Sequence, residues 1–294
     1  MTIDEKLAAI LAAVQTDPGN RGLKNLFTAC PDDFAAACRS IAVEEKPMLS
    51  LVTGFYIPSA TSPAYETDGP LGALFLARAV HALGGGFSLN SEDPVTNSFV
   101  RGLLFSGIGS TGHWRPNGHF AIAIERSGPA LDGKCYTMRG RDISSHIHEQ
   151  NNLFDSVYHD GTVTIGIGDG GNEIGMGKIP HEIVAREIPN GDLIHCRVPT
   201  DHLIVAGVSN WGAYALAAGI YVLRGIELPP DLFDPDRERE ILEVMVREGP
   251  LVDGVTGQQT ATVDGLSWEE YAKPLHRLRE ILSGSSAPRT RPRG

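Results

Sequence analysis

This sequence is short of basic charge, of cysteine and of long apolar runs, and each shortage excludes something. Its 25 Lys and Arg stand against 36 Asp and Glu, a formal net charge of −11. Nucleic-acid surfaces need clustered cations along one face, so nucleic acid is not an expected partner. The four cysteines, Cys30, Cys38, Cys135 and Cys196, form no C-x-x-C pair, which removes a disulfide framework and a cysteine zinc site and points to a reduced, cytoplasmic compartment. No apolar run approaches the roughly 20 residues of a membrane span. The start, MTIDEKLAAILAAV, has acids where a secretory leader has bases, and Leu7, Ile10, Leu11 and Val14 recur there at helical spacing. Several motifs are missing too. There is no G-x-x-x-x-G-K-[ST] phosphate loop, and the glycine-rich G-x-G-x-G-G run lacks dinucleotide-binding spacing. The ten histidines are scattered without an H-E-x-x-H pair, and G-V-S-N-W around Ser209 lacks the second glycine of a nucleophile elbow.

What is present centres on Thr162–Gly177, TVTIGIGDGGNEIGMG. Its β-branched start predicts a strand. Gly168–Gly171 then predicts a turn, followed by a helix with Asn172 and Glu173 in its first turn, where unpaired backbone N–H groups can meet a polar ligand. The rest alternates in the same style. Two or three helices fill residues 1–45, strands are expected at Met48–Thr53, Phe87–Leu89, Phe120–Ile124 and His202–Ala206, and helices at 71–83, 213–223, 229–247 and 268–282. This predicts one α/β domain over residues 1–282 with a mostly parallel sheet flanked by helices, and a disordered basic tail over 283–294. In such sheets ligands bind beyond the carboxyl ends of the strands, so the loops after Thr53, Ile124, Ile167 and Ala206 should converge.

Those loops are acidic. Asp68, Asp169, Glu173, Asp201 and Asp253 lie beside glycines or at strand boundaries, and carboxylates that share a cavity repel unless a cation or proton intervenes. All-oxygen ligands favour Mg²⁺, Mn²⁺ or Ca²⁺ over zinc, with Mg²⁺ or Mn²⁺ expected and Asp68, Asp169, Glu173 and Asp201 as the expected metal set. Asp68 and Asp253, each followed by glycine, also fit plain turns. Thr53, Gly170, Gly171, Ser209 and Asn210 are expected to line the substrate. Arg139 and Arg141, in MRGRD, are candidates for clamping a carboxylate bidentately.

Five segments in order, ETDGP from Glu66, IER…DGKCYTMRGRDI between Ile124 and Ile143, IGDGGNEIGMGK from Ile167, GVSNWGAYAL from Gly207 and VDGVTG from Val252, resemble the D-glutamate cyclase family. The resemblance covers the cyclase portion, without the additional N-terminal hydro-lyase-like domain of longer members. It implies conversion of D-glutamate to 5-oxo-D-proline and water. Residue chemistry then assigns expected catalytic roles to Asp169, Glu173 and Asn172, with a divalent cation as Lewis acid. Two rival expectations use the same loops: a metal-dependent phosphatase binding phosphate on the Gly170–Gly171 amides, and a non-catalytic small-ligand-binding module. The expected partner is a small-molecule substrate, with no membrane. A homo-oligomer is also expected as an option, because Trp211 and the apolar helix after it fit either a core or a subunit interface.

Overall fold

The computed structural model describes residues 1–109, 119–148, 153–154 and 161–284. Three helices open the chain, α1 (Ile3–Val14), α2 (Lys24–Phe27) and α3 (Asp33–Ala42), and Leu7, Ile10 and Val14 form the buried stripe of the first. There follow β1 (Met48–Gly54), a small hairpin of β2 (Tyr56–Ile57) and β3 (Ala64–Tyr65), α4 (Pro70–Ala82), β4 (Gly86–Asn90), α5 (Asp93–Phe105) and β5 (Phe120–Arg126). The second half holds β6 (Val163–Gly168), α6 (His181–Glu187), α7 (Gly191–Ile194), β7 (His202–Val205), α8 (Ser209–Arg224), α9 (Pro235–Glu248) and α10 (Trp268–Ser283). No helix among the described residues is long and apolar enough to cross a membrane.

Five strands pair in parallel in the order β4-β1-β5-β6-β7. The chain steps outward from β1 to β4, then returns to lay β5 on the other side of β1. Loops leaving β1 and β5 therefore diverge, and a crevice opens between their carboxyl ends.

The two faces of the sheet differ in side-chain size. Leu49, Leu51, Ile122, Ile124, Ile165, Ile167 and Ile204 pack into the main core with α4 and α8, which is largely buried all round, while α1, α3 and α10 pack against α8. Trp211 belongs to this core, its Nε1 donating to the Tyr271 carbonyl at 3.1 Å. The opposite face presents Ala121, Ala123, Gly166 and Gly168, and there the backbone itself comes close. A Cβ on Gly166 would lie 2.6 Å from both Gly175 Cα and the Ile174 carbonyl oxygen.

That contact explains the main departure from the expected elements. No helix starts at Asn172, directly after the β6 turn. Gly171 and Gly175 take φ of 95° and 106°, and the segment runs irregularly across the sheet, bridged to Ser127 and Pro199, until α6 begins at His181. Left-handed glycines interrupt the repeating dihedrals that a helix needs. The sequence reading also passes over α5, whose Val95, Phe99 and Leu103 form a narrow buried stripe among polar neighbours. His113, His159 and positions 285–294 of the expected tail lie outside the described residues.

Gly166→Ala should lower stability by about 1–3 kcal/mol, because the atoms it meets are backbone and cannot turn aside. Urea unfolding measures this; an unchanged midpoint would contradict the close contact.

Candidate active site

Strand ends bring the acids together. Asp68 lies in the turn before α4, Glu125 in the last residues of β5, Asp169 directly after β6, and Ser209 opens α8 after β7. Glu125 is aimed by a bulge. Thr53 pairs with Ile124 and Gly54 with Arg126, so Glu125 is the extra residue, and its φ of 44° is left-handed. A bulge re-aims one side chain without ending the strand, and backbone strain of this kind collects at functional sites. One carboxylate oxygen from each of Asp68, Glu125 and Asp169 falls within 4.8 Å of the others, and all three residues are buried. An all-oxygen set of this kind suits a hard divalent cation.

Two helix N-termini hold the cluster. The Asp68 carboxylate accepts from the Ser209 and Asn210 amides at 2.9 and 2.8 Å, which caps α8. In return Asn210 Oδ1 accepts from the Gly69 and Gly72 amides at 2.9 and 2.7 Å, which caps α4. Each helix thus satisfies orphan donors of the other. Ser209 Oγ donates to Glu125 Oε2 at 2.5 Å. Arg21 supplies a full positive charge from the loop between α1 and α2. Its Nη1 donates to Asp169 Oδ1 at 3.0 Å, and its Nη2 to the Gly207 carbonyl at 2.7 Å and to Asp264 Oδ2 at 2.9 Å. The loop is itself pinned, since the Asp17 carboxylate accepts from the amides of Arg21, Gly22 and Leu23.

Electrostatics follow from burial. It raises the carboxyls of Glu66, Glu125 and Asp169 well above the usual range. Neighbouring negative charge adds to this, chiefly Asp264 for Glu66 and Asp169 for Glu125, whereas Arg21 pulls Asp169 back. Burial also pushes Asp68 up to about 7, with Asp264 adding to it and the Asn210 and Ser209 amides opposing. Burial alone would lower Arg21, but the charges of Asp169 and Asp264 more than offset it and hold the guanidinium cationic.

A cavity of about 430 Å³ opens onto the cluster. It is lined by Arg21, Glu66, Glu125, Asp169 and Asp264 and also by Thr137, Met138, Arg139, Arg141, Pro189 and Asn190. Both expected clamp residues, Arg139 and Arg141, line it. Arg141 is steadied there by donating to the Pro58 carbonyl at 3.3 Å.

Other expected residues stand elsewhere. Asp201 lies at the amino end of β7, where its carboxylate accepts from Thr164 N and Oγ1 at 2.8 Å each; it stands across the sheet from the cluster and is corrected as a metal ligand. Glu173 turns into its own loop, accepting from the Gly171 amide at 2.8 Å and the Asp169 amide at 3.4 Å. Glu125 takes the place in the acid cluster expected for it. The same Gly171 bond occupies an amide that the phosphatase reading needs free. Asn172 Nδ2 donates to the Tyr136 carbonyl at 2.7 Å and so fixes the arginine-bearing hairpin. Gly170 admits that hairpin, since a Cβ there would lie 2.7 Å from Met138 Sδ. Thr53 Oγ1 is wholly buried beside Glu125, without a hydrogen-bond partner among the described residues. Ser209 and Asn210 bind the acids and helix ends rather than the cavity. Asp253 forms a turn, accepting from the amides of Val255, Thr256 and Gly265.

The sequence reading did not single out Arg21, Glu66, Glu125 or Asp264 as site residues. Glu125 carried a signal, because it directly follows the apolar run of a strand whose end should bear a ligand loop. Asp264 carried a weaker one in its Asp-Gly pair.

Fold and site together define an α/β protein with a buried carboxylate centre beyond the carboxyl ends of a parallel sheet. Residues 10–104 and 105–279 match the family described as D-glutamate cyclase-like, C-terminal, and the chain belongs to that family. It is similar to the human protein named D-glutamate cyclase, mitochondrial, at 32% identity over 331 aligned positions. The alignment covers 96% of this chain and 53% of the human protein, so the chain spans about half the length of the curated relative it matches.

A raised carboxyl favours the protonated form in the folded state. The stability Asp68 contributes is therefore complete below its ordinary range and is lost as pH rises through about 7. Glu66, Glu125 and Asp169 act with the same sign. Without divalent cations, the midpoint of thermal unfolding should fall by several degrees between about pH 5 and about pH 8. A flat or rising midpoint would contradict the raised carboxyls.

Proposed function

We propose that this chain closes D-glutamate to 5-oxo-D-proline with release of water, acting as a lyase. The observation that carries this reading is one cavity lined both by buried carboxyls and by Arg139 and Arg141. Membership of the D-glutamate cyclase-like family and the name of the human relative support it.

The chemistry sets three tasks. The ammonium must become a free amine, the amine must attack the γ-carbon, and one γ-oxygen must leave as water. The nitrogen loses two protons and the departing oxygen gains two, so the reaction needs a proton acceptor and a proton donor but no outside reagent. In this reading the arginines hold the α-carboxylate. Burial raises the Asp264 carboxyl too, but Arg21 Nη2 at 2.9 Å opposes that rise, so Asp264 is assigned as the acceptor. Glu66 is the donor: it is buried, lines the same cavity, and its side chain makes no hydrogen bond among the described residues. Carboxyls whose surroundings push their proton affinities apart divide acid and base work in this way.

The residues fit a hard divalent cation. Besides the three clustered oxygens, Asp169 Oδ2 is buried with no hydrogen-bond donor aligned on it among the described residues, although Arg21 Nη2 lies 3.0 Å away. Asp68, Glu125 and Asp169 would hold Mg²⁺ or Mn²⁺, which would supply Lewis-acid polarisation of the γ-carboxyl. Cysteine spacing without a C-x-x-C pair supports a reduced, cytoplasmic location.

Proton NMR of D-glutamate incubated with the purified chain and Mn²⁺ should show lactam. Asp169→Asn should abolish it, and Glu66→Gln should slow it by about 10²-fold, both with unchanged circular dichroism. Absence of lactam with the folded wild-type chain would overturn the reaction, and wild-type turnover by Asp169→Asn would overturn the site.

A further inference from the structure

Arg21 sits where a second cation would sit. Its guanidinium is ringed by oxygens: Asp169 Oδ1 and Oδ2 at 3.0 Å each, Asp264 Oδ2 at 2.9 Å and the Gly207 carbonyl at 2.7 Å. Two carboxylates and a backbone carbonyl are the donors that a hard divalent ion takes. Asp169 is shared, since it also belongs to the trio with Asp68 and Glu125. The trio is not merely a group of acids. Thr53 Oγ1 is wholly buried beside Glu125 with no partner among the described residues. Buried polar atoms left in that state are costly unless a ligand joins them.

We propose that the centre is built with two cation positions, one filled permanently by Arg21 and the other, bounded by Asp68, Glu125 and Asp169, open to a single divalent ion. The inference rests on the cation reading given above and adds the count and the role of Arg21. A guanidinium tethered by its own chain cannot be chelated away. It fixes Asp169 from one side by a two-pronged contact, so that the exchangeable ion meets a carboxylate already oriented. The pinned loop at Asp17 and the Gly207 carbonyl keep the prong in place.

Calorimetric titration of the full chain with Mn²⁺ alone tests this. Wild type should take up one ion. Arg21→Met leaves the same oxygens without their resident charge and should take up two. Arg21→Lys, which keeps a cation on the tether and is the variant more secure in folding, should take up one. Two ions or none in the wild type, one in a folded Arg21→Met, or two in Arg21→Lys would each overturn the inference. The lactam assay is separate: one ion bound without lactam would leave this inference standing while the reaction fails, and lactam formed by a chain that binds no ion would do the reverse.

Discussion

The structure depends on a compromise over buried negative charge. Several carboxyls meet where four strands end, in surroundings that exclude water, and isolated carboxylates do not survive there. Three kinds of compensation are in place. Burial raises the proton affinity of the carboxyls, helix amides point at Asp68, and Arg21 lies against Asp169 and Asp264. The exchange of caps between α4 and α8 matters most for the frame. Asp68 belongs to the turn that starts α4 yet caps α8, while Asn210 belongs to α8 yet caps α4. Neither helix can shift without leaving the other's donors unpaired, so the acids keep their spacing even though they repel.

Sheet topology provides the opening for this arrangement. Reversal of direction between β1 and β5 parts the loops above them, and the bulge at Glu125 turns a residue of β5 into that gap. Beside it, Arg126 lies against both oxygens of Glu92 at 2.7 and 2.9 Å and donates to the carbonyls of Thr53 and Gly54. Adjacent residues of one strand therefore do different work. Arg126 closes the crevice with a satisfied ion pair, whereas Glu125 faces the cavity with a single bond from Ser209.

What could be read from the sequence was what is local. β-Branched runs marked the strands, the rule about carboxyl ends brought the right loops together, and the glycine-rich stretch led to Asp169. Arg139 and Arg141 were legible as a pair because two guanidinium groups stand in one short turn. The failures have physical causes. The Arg21 contact with Asp169 joins positions 148 residues apart, and nothing near Asn20 or Gly22 announces it. A bulge leaves no mark in composition, so Glu125 read as the tail of a strand. Glu173 stands outside the acid trio because amides of its own loop take its carboxylate. Asp201 borders β7 at its start, at the end of the sheet away from the acid trio.

Burial raises the carboxyls of this centre, and its direct consequence would be carboxylic acid that persists in the cation-free protein. Infrared spectroscopy of the cation-free protein at neutral pH tests it most directly, through the carbonyl stretch that distinguishes a carboxylic acid from a carboxylate. The wild type should show a carboxylic acid band that weakens when Glu66 or Glu125 is changed to glutamine. A spectrum with carboxylate bands alone would contradict it.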